Sequence, residues 1–186
     1  RMTICNMSIE GGARCGYINP DEKTFSYIKN KLYAPKNEHW DRALRWWESL
    51  KSDENSIYDD VIKLDASKVE PTVTWGITPG QSISINQQIP LLDDLSPNDK
   101  LVAEEAYEYM SFKPGQLIKD TPVDVCFIGS CTNGRISDLR VAAKVLKDKK
   151  VSKNVKAFVV PGSEKVATEA KQEGLDQIFK DSGFQW

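Results

Sequence analysis

The sequence has little histidine and no closely spaced pair of cysteines. Its 186 residues include one histidine, His39, and four cysteines, Cys5, Cys15, Cys126 and Cys131. A zinc site of the usual cysteine and histidine type, and a nucleophile activated by histidine, therefore have too few residues here. Because the cysteines are scattered through a chain too large to need disulfide staples, a reducing compartment is favoured.

Long apolar runs and an excess of one charge are also missing. No apolar stretch approaches the ~18 to 20 residues that cross a bilayer, and the start of the chain lacks the layout of a signal peptide. Lys and Arg, 25 in all, nearly balance 27 Asp and Glu, so the net charge of -2 creates no broad positive field for nucleic acid. We therefore expect a cytoplasmic protein with neither nucleic-acid nor membrane partners.

The two ends of the sequence resemble the interior of a protein. Arg1 opens a compact mixture of apolar and polar residues, and the chain closes on Phe184, Gln185 and Trp186. Natural termini more often trail off into polar residues. We therefore expect an internal piece of a longer chain.

The last third of the chain carries the clearest pattern of secondary structure. Apolar spacing predicts a strand at 123–128, a helix at 136–147, a strand at 157–160 and a helix at 164–172. Strand and helix alternating in close succession predict a right-handed βαβ unit in a parallel sheet. The fold class is therefore α/β.

Earlier segments are shorter and more mixed. The same spacing rules predict a short helix within 3–13 that Gly11 and Gly12 weaken or stop. They also predict helices from Pro20 onward, at 40–50 and at 97–112, and strands at 58–65 and 72–76. Between residues 76 and 98 the composition shifts to Pro, Gly, Ser, Gln and Asp, which indicates an inter-domain connection. We therefore divide the chain into parts of two α/β subdomains, residues 1–90 and 91–186.

One turn stands out as a candidate site. Gly-Ser-Cys-Thr-Asn at residues 129–133 follows an apolar strand and precedes a helix, which places it at the carboxyl edge of the sheet, where open α/β folds bind ligands. Hydroxyl donors and the positive start of the helix would stabilise a thiolate at Cys131. A buried, purely structural cysteine fits the position equally well. We interpret Cys5, Cys15 and Cys126 as packed thiols.

Two further segments are candidates by position. Asn6 and Glu10 are four residues apart, so a helix would carry both on one face. A polar stripe on a surface helix is the alternative. The turn Pro-Gly-Ser at 161–163 follows the second strand, at the same sheet edge as Cys131. It could present its N–H groups to the same crevice or only cap the next helix.

The combined strings resemble the aconitase and isopropylmalate isomerase family. The strongest matches are residues 129–133 and Thr-Ile-Cys-Asn-Met-Ser-Ile-Glu at 3–10, supported by the strings at 71–76, 134–140 and 159–163. The resemblance covers the whole chain. It implies aconitase-like α/β units, each a parallel sheet with helices on both faces.

Members of that family are [4Fe-4S] hydro-lyases that act on small hydroxy-dicarboxylic and tricarboxylic acids. By resemblance, Cys131 is a ligand of the cluster, while Ser130 and Asn133 shape the cluster loop. Asn6 and Glu10 are expected near the cluster and the substrate. The fourth iron would act as a Lewis acid on the substrate.

The family pattern also includes functional residues that this chain lacks. The other two cysteine ligands form a Cys-x-x-Cys pair further along the family's chains, and in two-subunit members the serine base and some arginines belong to a small subunit. We therefore expect no cluster and no activity in this chain alone, and a small-subunit partner. Isopropylmalate, homoaconitate and methylcitrate-type substrates stay open, as does a cluster-free α/β assembly or binding module.

Overall fold

The computed structural model describes residues 1–129 and 132–186, which form two compact units, Arg1–Leu64 and Asp65–Trp186. Among the described residues, no helix has both the length and the apolar character needed to cross a membrane. The division falls at Leu64, whereas the sequence places the subdomain boundary at residue 90. That boundary stays a prediction for a longer protein.

The first unit is built from three helices, α1 (Met2–Asn6), α2 (Glu22–Ile28) and α3 (Glu38–Glu48). Asp21 begins α2, because its side chain accepts a hydrogen bond from the Thr24 N–H at 3.2 Å. Phe25 of α2 is buried and stacks on Trp47 of α3, with ring centroids 6.2 Å apart. This aromatic contact joins the two helices.

Two of the predictions for this unit are wrong. The short helix predicted to reach Gly11 ends earlier, at Asn6, because the Ser8 hydroxyl donates to the Ile4 carbonyl at 2.8 Å. The strand predicted at 58–65 does not form among the described residues. Its β-branched side chains suit a strand, but a strand also needs a paired neighbour.

The second unit begins with a small α+β region. Strands β1 (Thr72–Thr74) and β2 (Ser82–Ser84) pair antiparallel, and helix α4 (Pro97–Met110) follows. Short 3₁₀ turns lie at Ala66–Lys68, Leu92–Asp94 and Ile118–Asp120. The core of this region consists of Trp75, Ile89, Ala103, Ala106, Tyr107 and Ile118.

Ile89 explains why the compact unit continues through the predicted connection at 76–98. Its side chain is 1% exposed, its N–H donates to the Gln116 carbonyl, and its carbonyl accepts from the Gly115 N–H, both at 2.8 Å. The Pro, Gly, Ser and Gln residues here therefore make packed turns. A boundary at residue 90 would separate Ile89 from Ala103, its neighbour in the core.

Limited proteolysis tests which segment opens first. We expect a protease of broad specificity to cut first within residues 51–64, because this stretch has no helix or strand and Ile57 and Ile62 are 98% and 87% exposed. Mass spectrometry of the earliest fragments gives the cut sites. First cuts between residues 83 and 97 would instead favour the boundary at residue 90.

The last third forms the parallel α/β layer that the sequence predicts. The order is β3 (Val125–Ile128), α5 (Ile136–Leu146), β4 (Lys156–Val159), α6 (Glu164–Gln172), α7 (Leu175–Asp181) and β5 (Phe184–Gln185). The three strands are parallel and lie in the order β3-β4-β5. The α/β class and the βαβ unit are confirmed, while α7 and β5 are additional elements.

The core of this layer lies on one face of the sheet. Ala157 pairs with Cys126 on one side and with Phe184 on the other, and these residues pack against the helices. Phe179 of α7 is fully buried there, 5.7 Å from the Phe184 ring. Its burial holds the last helix and the last strand together.

Candidate functional site

The candidate site is built around the connection from β3 to α5. Ser130 and Cys131 lie outside the described residues, so their predicted roles stay predictions. Of their neighbours, Gly134 is buried, Thr132 is half-buried and Asn133 is exposed. The connection leaves the sheet at the carboxyl end of β3, as the sequence predicts.

The backbone of Val160 lies close to Gly129, which directly precedes the two undescribed residues. Its φ is +155°, a conformation that residues with a side chain rarely adopt. A Cβ atom added to it would lie 2.6 Å from the Val160 carbonyl oxygen, inside contact distance. The neighbouring Val160 N–H donates to the Ile128 carbonyl at 2.8 Å, which holds the two strand ends together. Only glycine fits here without a shift of the loop.

The turn at 161–163 lies against the same connection. The Gly162 N–H donates to the Gly134 carbonyl at 2.7 Å, so the two turns share the carboxyl edge of the sheet. The Ser163 hydroxyl accepts a hydrogen bond from the Val166 N–H at 3.2 Å and caps α6. These hydrogen bonds therefore hold Gly134 and the start of α6 in place, which supports the capping interpretation of this turn.

The start of α5 already carries an anionic group. The Arg135 N–H donates to a carboxylate oxygen of Asp138 at 3.0 Å. A negative side chain at a helix start is stabilised by the free N–H groups of the first turn. Any further anion near this helix start would share that favourable field with Asp138.

Asn6 and Glu10 are exposed but do not share a helix face. Asn6 is the last residue of α1, and Glu10 lies in the turn that follows. The chain then folds back, since a Cβ atom at Gly16 would lie 2.6 Å from the Cys5 Cα. The prediction of one helical face is therefore wrong, while the assignment of both residues to the substrate side stays a prediction. Both lie in the first unit, and the cysteine loop lies in the second.

The three cysteines that the structure describes do not form a metal-binding group. Cys126 is half-buried against the sheet core, Cys5 is half-buried and Cys15 is exposed, so the prediction of a packed thiol is wrong for Cys15. Within residues 1–129 and 132–186, no three His, Cys, Asp or Glu side chains are placed to hold a metal ion. A four-iron cluster needs several thiolates, and the resemblance assigns Cys131 to one of them. The donors within the described part of the chain do not by themselves fit such a cluster.

Arg140, on the helix that follows the candidate site, forms ion pairs with two glutamates. From α5 its guanidinium donates to Glu173 at 2.8 Å and to Glu169 at 3.2 Å, which ties α5 to α6. The hydrogen bond from Arg140 holds the pKa of Glu173 below its ordinary value. Sequence reasoning did not identify this pair, because its members are 33 residues apart and no local pattern links them.

This pair gives a pH-dependent prediction. Because the folded-state pKa of Glu173 is lowered, its stabilising effect is complete above the unfolded pKa and is lost as pH falls through the folded pKa. We expect Arg140→Ala to lower the urea midpoint at pH 7, with the difference from wild type shrinking as pH falls from about 5 toward 2. Lys144→Ala, on the same helix, is the control. A difference that is constant with pH would show that Arg140 acts through packing alone.

Comparison with known proteins decides the family. The family model described as aconitase (aconitate hydratase) matches residues 1–186. The chain belongs to the aconitase family. The resemblance carried by the strings at 3–10 and 129–133 is thereby confirmed.

Individual aconitase-family relatives are similar over the whole chain. The sequence is 95% identical over 186 residues to the 3-isopropylmalate dehydratase large subunit of Prochlorococcus marinus strain MIT 9215. It is 62% and 60% identical to proteins of the same name from Synechocystis sp. strain PCC 6803 and Nostoc punctiforme. The chain spans 40% of the length of each of these relatives.

Proposed function

We propose that this chain is part of the large subunit of a 3-isopropylmalate dehydratase, a hydro-lyase that interconverts 2-isopropylmalate and 3-isopropylmalate in leucine biosynthesis. The observation that carries the proposal is the 95% identity, over every residue of the chain, to a large subunit of that name. At this level of identity the loop sequences as well as the core are shared. Shared loops matter because substrate-binding groups usually lie on loops.

In the complete subunit we assign Cys131 as one thiolate ligand of a [4Fe-4S] cluster. The bound cluster would supply a Lewis acid for the substrate hydroxyl and carboxylate. The remaining thiolates would come from outside these residues, because the family's chains supply them as a Cys-x-x-Cys pair further along and Cys126 packs into the core. The close approach of the Val160 carbonyl to Gly129 supports a fixed position for Gly129, where the loop begins.

The other site residues are assigned to positioning and substrate contact. We assign Ser130 and Asn133 to shaping the cluster loop, and Asn6 and Glu10 to the substrate side. The exposure of Asn6 and Glu10 supports their assignment, because an exposed polar side chain is accessible to a ligand. The substrate is a small hydroxy acid with two or three carboxylates. Its charges would be held largely by arginines outside this chain.

The partner of the complete protein is the small subunit that the name "large subunit" implies. We propose a cytoplasmic location, with neither nucleic-acid nor membrane partners. The near-zero net charge of -2 and the scattered cysteines support this proposal. A homoaconitase or aconitase-type activity is the nearest alternative, and a cluster-free assembly or binding module is the other. Turnover of 2-isopropylmalate, homocitrate and citrate by the complete, iron-reconstituted enzyme distinguishes them.

The 186-residue chain alone should behave differently from the complete large subunit. We expect it to stay colourless after iron and sulfide reconstitution and to show no dehydratase activity, because one candidate thiolate cannot hold a four-iron cluster. Visible absorbance, iron content and turnover are measured beside the complete large subunit treated in the same way. A stable four-iron spectrum from the chain alone would show that the assigned ligand set is wrong.

A further inference from the structure

The chain reverses its direction directly after α1. In this turn the Ala13 N–H donates to the Ser8 carbonyl at 3.0 Å, and the Gly12 N–H donates to the Ile9 carbonyl at 2.9 Å. Gly12 takes φ +85° here, a conformation that glycine adopts without steric cost. The returning segment therefore runs back toward the helix that it has just left.

Gly16 lies where the returning segment meets α1. A Cβ atom added to Gly16 would lie 2.6 Å from the Cα atom and 2.9 Å from the carbonyl oxygen of Cys5, and it would also overlap the Ser8 hydroxyl. Carbon atoms pack at about 3.5 to 4.0 Å, so a side chain does not fit at this position. The φ angle of Gly16 lies outside the left-handed region. Glycine is therefore needed here for space and not for its backbone conformation.

The clash would fall on the backbone next to Asn6. The Ser8 side chain can rotate away, whereas the Cα and carbonyl atoms of Cys5 move only together with the planar peptide that links Cys5 to Asn6. The Cys5 N–H in turn donates to the Arg1 carbonyl at 3.0 Å, within α1. A side chain at position 16 would therefore displace the C-terminal end of α1, and Asn6 with it.

The returning segment is held more firmly than this end of α1. The Tyr17 hydroxyl, one residue further along, donates to the Leu50 carbonyl at 2.5 Å, just beyond α3. By contrast α1 buries no residue. Its ion pair, between Arg1 and Asp21 at 2.5 Å, lies at the end away from Asn6. We therefore expect a clash to be relieved by movement of the C-terminal end of α1.

We propose that Gly16 is a positioning residue for the substrate side of the candidate site. Because it has no side chain, the returning segment packs directly on the Cys5 backbone and fixes Asn6, the next residue in the chain. This role rests on the proposed assignment of Asn6 to the substrate side. Gly16 itself lies outside the string at 3–10 that carries the family resemblance.

Gly16→Ala in the complete large subunit, reconstituted with iron and assembled with its small subunit, tests the proposal. A displacement of Asn6 by less than 1 Å should lower kcat by about 10-fold. The KM should change by less than about twofold, because arginines outside this chain hold most of the substrate charge. The iron content should equal that of wild type, because the cysteine loop belongs to the other compact unit.

Gly80→Ala is the matched control. It adds the same methyl group at a glycine without a positive φ, where the nearest atom to the new Cβ is the Thr78 hydroxyl oxygen at 3.8 Å, an ordinary contact. We expect its kcat to stay within about twofold of wild type. Equal values of kcat for Gly16→Ala and Gly80→Ala would overturn the proposal.

A double-mutant cycle shows whether Gly16 acts through Asn6. Asn6→Ala removes the amide whose position Gly16 is proposed to set, so adding Gly16→Ala to it should lower kcat by less than about twofold more. A further loss of about 10-fold would show that Gly16 acts elsewhere, and the proposal would be wrong. If Asn6→Ala alone left kcat unchanged, the assignment of Asn6 would fail, and the role of Gly16 with it. If only Gly16→Ala were harmless, the role of Gly16 would fail and the proposed function would stand.

Hydrogen exchange measures the displacement independently of catalysis. We compare peptides that cover residues 1–8 in the wild-type and Gly16→Ala large subunits by mass spectrometry. Exchange should be several-fold faster in Gly16→Ala, because the N–H groups of Cys5 and Met7 form the hydrogen bonds of α1 that the clash would distort. Gly80→Ala should leave the exchange of this segment unchanged. Equal exchange in Gly16→Ala and wild type would show that α1 has not moved, which would overturn the proposal.

Discussion

Cys131→Ser in the complete large subunit, assembled with its small subunit, should abolish cluster retention and turnover together. Serine is close to cysteine in size, but its oxygen is a far poorer ligand than a thiolate for the iron of a four-iron cluster. The effect should therefore appear as loss of iron, of visible absorbance and of activity in the same preparation. Folding, followed by circular dichroism, should be retained.

The softness of the sulfur, more than the helix field, should decide this result. A nearby anion gains about 0.3 to 1 kcal/mol from a helix start. Asp138 already accepts a hydrogen bond from the Arg135 N–H there, so the gain left for a thiolate at Cys131 is at the lower end. A serine alkoxide would gain no more, and it would lose the covalent character of the iron–sulfur bond.

Cys126→Ser is the matched control for this substitution. Cys126 lies in β3 and packs half-buried against the sheet core, so a hydroxyl in its place should cost roughly 1 to 2 kcal/mol of stability and leave the iron content unchanged. If Cys131→Ser kept its iron and its rate, the ligand assignment would be wrong. The chain would then share the family's fold without this part of its chemistry.

The sequence predicted best where structure is determined locally. Strands β3 and β4 and helices α5 and α6 follow from apolar spacing over single segments, and they form within a few residues of the predicted bounds. By contrast β5 has two residues, Phe184 and Gln185, and exists because it pairs with β4. Nothing in its own sequence distinguishes it from a loop.

Where the predictions were wrong, a distant or a competing contact decided the outcome. The strand predicted at 58–65 has suitable side chains, but it has no paired neighbour among the described residues. The inter-domain connection around Ile89 stays a prediction, and distant contacts matter there too, because the hydrogen bonds of Ile89 reach Gly115 and Gln116, more than twenty residues away. The helix that was to carry Asn6 and Glu10 ends early, because the Ser8 hydroxyl bonds back to the chain.

For the candidate site, the sequence predicted the location of the cysteine loop and missed what holds it. The position after β3 follows from the strand–turn–helix pattern, and the structure confirms it for the described residues around Cys131. The hydrogen bond from Gly162 to Gly134 and the approach of Val160 to Gly129 join segments about thirty residues apart. No spacing rule within one segment can show such contacts.

Gly129→Ala should have the second largest effect, through the geometry of the cysteine loop. The added methyl group would lie 2.6 Å from the Val160 carbonyl oxygen, and φ +155° is strained for any residue with a side chain. Since neither strand end can give way without breaking the hydrogen bond from Val160 to Ile128, the loop has to move. In the complete enzyme we expect a loss of about 2 to 3 kcal/mol in the free energy of unfolding. A loop displaced by about 1 Å should lower turnover by roughly 100-fold.

Gly174→Ala is the control for Gly129→Ala, because it introduces the backbone strain of a positive φ without a steric clash. Gly174 also has a positive φ, +71°, but a Cβ atom there would meet nothing within 4 Å. The substitution should therefore cost only the conformational strain, about 1 to 2 kcal/mol, and leave turnover and iron content unchanged. Urea unfolding, iron content and turnover are measured for both variants in the assembled enzyme. If Gly129→Ala matched Gly174→Ala in all three, the contact with Val160 would not position the loop, and the loop would have to be held by residues outside this chain.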